Sequence, residues 1–198
     1  DRKNEYVVYV HPNYRKPLPL GENFQVKTYD ARPVSLRTVF QFGSVINREK
    51  PDLLHSLAPL TPFFYRGPLL VTMYDLQALL VPDFTGQRPW IARKMYDWFY
   101  WWTYPTTVRR ARYMITVSEA TRLDIMRVFP RHADRSIVVH SGIDAGELAQ
   151  CPEKLIEKAR EEFDLPERYL LYIGSTRPNK NLPNMLRGFA RAIREYEG

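Results

Sequence analysis

The chain has 198 residues, 44% of them hydrophobic and 26% charged. That balance describes a soluble globular protein with room for one full domain and part of a second; it excludes a disordered polymer, and no apolar run approaches the ~20 residues of a membrane-spanning helix. The formal charge of +7 favours anionic partners such as nucleotide phosphates or an anionic membrane surface, whereas nucleic acid is not expected, for want of zinc-ligand spacing, a single-strand-binding aromatic motif or a long basic block.

The chain opens on Asp1-Arg2-Lys3-Asn4-Glu5, with neither a signal peptide nor an initiator Met, so upstream residues are expected to be missing. Glu5 to Val10 (EYVVYV) reads as a strand, and Phe24 to Tyr29 alternates apolar and polar residues as a half-exposed strand would. Val34 to Lys50 is expected to be one helix, N-capped by Ser35 and ended by Pro51. Asp52 to Ser56 is a short buried strand, and Leu69 to Met73 (LLVTM) is the next, ending in Tyr74-Asp75-Leu76. Pro89 to Ala111 is helical and crowded with aromatics, and Pro105 should kink or divide it. Tyr113 to Val117 (YMITV) is another strand. Ser118 caps a helix with Glu119 near its positive end, and Leu123, Met126 and Phe129 share one face. Ile137 to His140 is a strand ended by Ser141-Gly142.

Strands alternating with helices over short loops predict an α/β fold, a Rossmann-like parallel sheet covered on both faces. The texture changes after Asp144. Residues 1–144 read as one domain, 145–168 as a charged helical connector, and 169–198 as the first strand-helix unit of a second Rossmann-like domain. Cys151 is the only cysteine, which excludes intrachain disulfides and suits a reducing, cytoplasmic compartment.

Tyr169 to Ile173 is an apolar run with the composition of a buried parallel strand, closed by Gly174. A loop carrying Arg177 and Lys180 follows, and an amphipathic helix starts at Leu182. Strand, glycine, cationic loop and helix suit a phosphate, since loop amides and the positive helix end face an anion. An ordinary strand-to-helix turn with two solvated charges would read the same way.

Four segments in succession carry a resemblance: LLVTMYDLQALLVP (69–82), YMITVSEATRLDI (113–125), IVVHSGID (137–144) and YLLYIGSTRPNKNL (169–182). In this order and spacing they resemble glycosyltransferase family 4, retaining enzymes with two facing Rossmann-like domains, the GT-B fold, some of them mannosyltransferases. The resemblance covers nearly the whole chain. It implies a GDP- or UDP-sugar donor bound by the C-terminal domain, a glycan or lipid-linked acceptor held by the N-terminal domain, and no metal or other cofactor. Lys180, Arg177 and Gly174 match the loop that meets the donor diphosphate. Gly142 and Asp144 match a turn beside the donor, and Ser118 and Glu119 match a helix start on the acceptor side. Family members commonly carry His-Asp after the strand formed here by Leu69 to Met73; this chain has Tyr74-Asp75, and tyrosine cannot act as an imidazole near neutral pH.

The resemblance also implies a glycine-rich first strand upstream and a glutamate-bearing motif downstream, neither within the 198 residues, so this stretch alone is expected to be inactive. Apart from the resemblance, His55 ends a buried strand, where it can line the acceptor cleft or sit as a satisfied structural histidine. Between Arg88 and Arg112, six cations flank or interleave eight aromatics with Asp97 as the one acid. Such a stretch serves either as a core helix with solvated arginines or as a surface that sits peripherally on anionic lipid. A binding module without transfer, and a sugar-nucleotide epimerase of related architecture, are the alternatives to a transferase.

Overall fold

The computed structural model describes residues 3–32, 35–82, 84, 88–142 and 151–196. The chain divides into two compact units, residues 1–76 with 94–140 and residues 77–93 with 141–198.

In the first unit, β1 (Tyr6–Val10) and β2 (Phe24–Thr28) pair in parallel as a two-stranded sheet, with Tyr6 stacked on Phe24 at 4.5 Å. The helix expected over 34–50 is two helices, α1 (Leu36–Phe40) and α2 (Phe42–Glu49). Ser35 caps α1 through a 3.2 Å bond from the Thr38 amide, as its position predicted; Val34 lies outside the described residues. The break at Gln41 coincides with a backbone approach: a Cβ on Gly43 would stand 2.5 Å from the Tyr65 amide nitrogen. That lets α2 lie against the segment 64–66, where the Asn47 side chain bonds Phe64 O and the Arg66 amide. On its other side α2 meets the sheet. Phe42 packs edge-on against Tyr9 and stacks on Tyr29, and Glu49 pairs with Lys27 at 2.7 Å. The Lys27 hydrogen bond holds the Glu49 carboxyl below its ordinary range.

A second sheet holds β3 (Leu54–Ser56), β4 (Leu69–Met73), β5 (Tyr113–Thr116) and β6 (Ser136–Val138), in that order and all parallel. This is the predicted parallel α/β arrangement. A short helix α3 (Gln77–Leu80) follows β4, and α4 (Trp90–Arg110) runs on through Pro105, which does not divide it. α4 buries Phe99, Thr103, Tyr104, Thr107 and Val108, and Val39, Leu60 and Phe99 form a core cluster against Tyr100 and Trp102.

Two arginines hold the ends of this packing. Arg135 donates 2.7 Å to Ala111 O and also reaches Val108 O, satisfying carbonyls the end of α4 leaves unpaired. Arg110 donates to the carbonyls of Pro62, Phe63 and Tyr65, fixing the loop after β3. α5 (Glu119–Val128) buries Thr121 and Ile125. Leu123 and Met126, on the face expected from their spacing, are exposed. The cap decides this orientation, because Thr121 must reach back toward β4.

The second unit contains α3, α6 (Glu153–Glu162), a single 3-10 turn at Pro178–Lys180, and α7 (Leu182–Tyr196). The buried strand expected at Tyr169–Ile173 is not formed: no strand lies there, and Leu170 and Ile173 are 73% and 86% exposed. A parallel strand exists only through its ladder partners, and none of the described residues pairs with this one.

Gly43→Ala weighs two opposed effects. Helix propensity would favour alanine by ~1 kcal/mol, but the new methyl meets backbone atoms that cannot rotate away. Overpacking of this kind costs ~1–3 kcal/mol, so the variant is expected to lower the urea midpoint; a raised midpoint would show that α2 does not need the close approach.

Candidate functional site

In a parallel sheet every strand leaves by the same edge, and ligands gather where the carboxyl ends open. The four-stranded sheet brings the ends of β3, β4, β5 and β6 together there, since Ser56 pairs with Val71, Met73 with Thr116 and Thr116 with Val138. Tyr74 and Asp75 leave β4 directly, and Ser118 and Glu119 stand just beyond β5. His55 lies one residue before the end of β3.

Each is held differently. Tyr74 is 52% exposed, and its carbonyl accepts a 2.9 Å bond from the Thr121 hydroxyl. The same Thr121 gives its amide to Ser118 Oγ at 3.2 Å, so one threonine locks the capped start of α5 to the exit of β4. The Ser118 hydroxyl thus serves the cap, and Glu119 pairs with Arg122 at 2.9 Å. Tyr104 is buried; burial first, then the Asp75 carboxylate and Tyr100, push its phenol above the usual range. It therefore stays protonated beside Asp75. His55 is exposed at its surface, yet its Nε2 lies 2.9 Å from Thr72 Oγ1, and partial desolvation on that side lowers its pKa. The structure thus gives His55 a satisfied partner within the sheet.

The cationic loop belongs to the second unit. The Tyr172 hydroxyl folds over Gly174 to donate 2.9 Å to Ser175 O, and a Cβ on Gly174 would meet that phenol. Arg177 and Lys180 are exposed, joined by the Lys180 amide donating to Arg177 O at 2.9 Å. Asn181 takes a left-handed conformation (φ 52°) and accepts the amides of Asn184 and Met185 at the start of α7. Asn179 bonds Gln77 at 2.7 Å. Gly142 has open space around its Cβ position and no positive φ, so nothing local requires a glycine there. Asp144 lies outside the described residues.

Sequence reasoning missed Thr72 and Thr121, which bond His55 and Tyr74, and the buried Tyr104, whose phenol feels the Asp75 charge. Only Thr121 left a signal, as the third residue after the cap. Among the described residues no three of His, Cys, Asp and Glu stand together as a metal-holding group, and no helix is long and apolar enough to cross a membrane.

The sequence profile of Glycosyltransferase Family 4 matches residues 2–147. No curated protein matches the chain. Among solved structures, a glycosyltransferase from Rickettsia africae ESF-5 aligns at 13% identity and a TM-score of 0.42, over 74% of this chain and 38% of that one. The chain therefore spans well under half the length of that structure.

His55 supplies a pH test. Its pKa is lowered on folding, so its contribution to stability is complete above the ordinary histidine value of ~6.5 and is lost as pH falls from there through the folded value. His55→Gln keeps a polar partner for Thr72 but cannot titrate. Its stability should decline less steeply than wild type below pH ~6.5; parallel profiles in chemical denaturation would show that His55 is not selectively held neutral.

Proposed function

Because the chain belongs to glycosyltransferase family 4, we propose that it is part of a retaining enzyme of GT-B architecture. That enzyme moves a hexose from a GDP- or UDP-sugar to a glycan or lipid-linked acceptor in bacterial polysaccharide or glycolipid assembly, at the cytoplasmic side. The observation that carries the reading is the common carboxyl edge of β3 to β6, where Tyr74, Asp75, Ser118 and Glu119 emerge beside one another. The exposed Tyr74 phenol can donate to or accept from a sugar hydroxyl. The Asp75 carboxyl, next to Tyr74 in the chain, is proposed to accept a hydrogen bond from a sugar hydroxyl.

The donor's diphosphate is assigned to Gly174, Arg177 and Lys180. As the glycosidic bond breaks, the departing diphosphate gains negative charge. A cation held beside the diphosphate stabilises that charge, such a donor being worth ~3 kcal/mol where water is excluded. Gly142 and Asp144 are proposed to lie on the donor's side as well. A second reading, a glycosyltransferase-like module that binds without transfer, is favoured by one observation: Tyr74 stands where family members commonly carry a histidine.

The two readings part in an assay of the complete protein with a panel of UDP- and GDP-sugars. Donor-dependent transfer is expected, and its absence despite donor binding would leave the binding module. Lys180→Ala in the complete enzyme should then lower kcat by ~10²–10³-fold, while the melting temperature hardly moves because the side chain is exposed. Unchanged turnover would remove Lys180 from the donor site.

A further inference from the structure

α4 buries one face and leaves large apolar side chains exposed on another. The first runs through Phe99, Thr103 and Thr107. The other carries Met95, Trp98 and Trp101, exposed by 65%, 66% and 60%, with Trp102 half-buried beside them. These positions recur at intervals of three and four, so they form a single stripe. The stripe continues onto neighbouring elements. Trp98 lies parallel to Trp102 at 6.1 Å, Trp102 stacks on Phe63 at 5.7 Å and on Phe40 at 5.9 Å, and Phe64 meets Phe63 edge-on. Arg110 holds the carbonyls of Pro62 and Phe63, so the loop rings are set in place rather than trailing in solvent. Singly exposed apolar residues need no explanation, but a contiguous patch of this kind marks an interaction surface.

Its chemistry selects the partner. Tryptophan dominates, the side chain whose apolar body and polar N–H suit the headgroup level of a bilayer. Lys94 stands on the stripe one turn before Trp98, and within the first unit Arg109 and Arg112 add two exposed cations against Asp97, Arg110 being turned to the loop carbonyls. A second copy would set that excess positive charge against itself, whereas an anionic lipid surface complements it. Nothing in α4 allows it to cross the bilayer; an interfacial helix lies in the plane with its apolar side down.

We propose that Met95, Trp98, Trp101 and Trp102 of α4, with Phe40 and Phe63, dock the protein on an anionic lipid surface. The docking does not depend on the transfer reaction and is tested without it. The complete protein is floated with phosphatidylcholine vesicles that contain either no or about one-third phosphatidylglycerol, at ~50 mM salt, where screening is weak. Flotation with the anionic vesicles and a blue shift of tryptophan emission are expected, both weakened at ~0.5 M salt. Trp98→Ala/Trp101→Ala should reduce the bound fraction ~10-fold or more while circular dichroism stays unchanged, since both rings are outside the core. Lys94→Glu should weaken binding to the anionic vesicles alone. Absent flotation, or flotation indifferent to lipid charge or to the double variant, would overturn the proposal. So would a dimer in light scattering that the double variant dissolves without any vesicle binding.

Discussion

The exit of β4 is the constraint on which the first unit depends. Leu69, Val71 and Met73 are buried, and ladders run on both sides to β3 and β5. A parallel strand with two parallel neighbours obliges each connection to cross back over a face and re-enter from the same end. The loops that leave the sheet therefore collect at one edge whatever their sequences. Burying Leu, Val and Met side chains there contributes ~1.5–3 kcal/mol each, while the edge itself carries polar residues that contribute little to stability. Packing and chemistry are separated along the same strands, and a change at Tyr74 or Asp75 need not disturb Val71.

One threonine turns that separation into geometry. Thr121 sits in the first turn of α5, gives its amide to the Ser118 cap and its hydroxyl to Tyr74 O. The cap satisfies an orphan amide of the helix; the second bond fixes where the helix begins relative to the strand. Ser118 and Glu119 then have less freedom to act on a ligand than their position suggests, because the serine hydroxyl and the glutamate are already engaged. Tyr74 is the residue at this edge whose side chain is most plainly open to solvent, 52% exposed.

What was legible in the sequence was local. The caps Ser35 and Ser118 were readable because capping needs only a hydroxyl three residues before a free amide. The strand 69–73 was readable because a parallel strand buried on both faces is continuously apolar, and 113–116 because its run is similarly apolar, although only Met114 and Thr116 are buried. Long-range contacts were not readable. Gln41 breaks a helix that its own residues would continue, where Gly43 meets the backbone of residues 64–65. Leu123 and Met126 keep a helical spacing suited to the inner face, yet Thr121 is turned inward by a bond to a residue 47 positions away. Tyr169 to Ile173 has strand composition with no ladder partner among the described residues. The aromatics of 90–104 were visible as a composition, but only packing separates Phe99 and Tyr104, which are buried, from Trp98 and Trp101, which are not.

Exposure also decides what the cationic loop can do by itself. A unit charge at contact distance from a phosphate is worth roughly 1 kcal/mol in water and several-fold more at the lower effective dielectric of a protein surface cleft. Arg177 and Lys180 are open to solvent, so any anion beside them would be held weakly and without geometric discrimination, as in exposed ion pairs. Their arrangement nevertheless costs little to hold. The 3-10 turn and the left-handed Asn181 fix the backbone, and the Lys180 amide is already satisfied by Arg177 O. A preset backbone with solvated charges gains most from losing water, because only the dielectric must change and nothing has to reorganise.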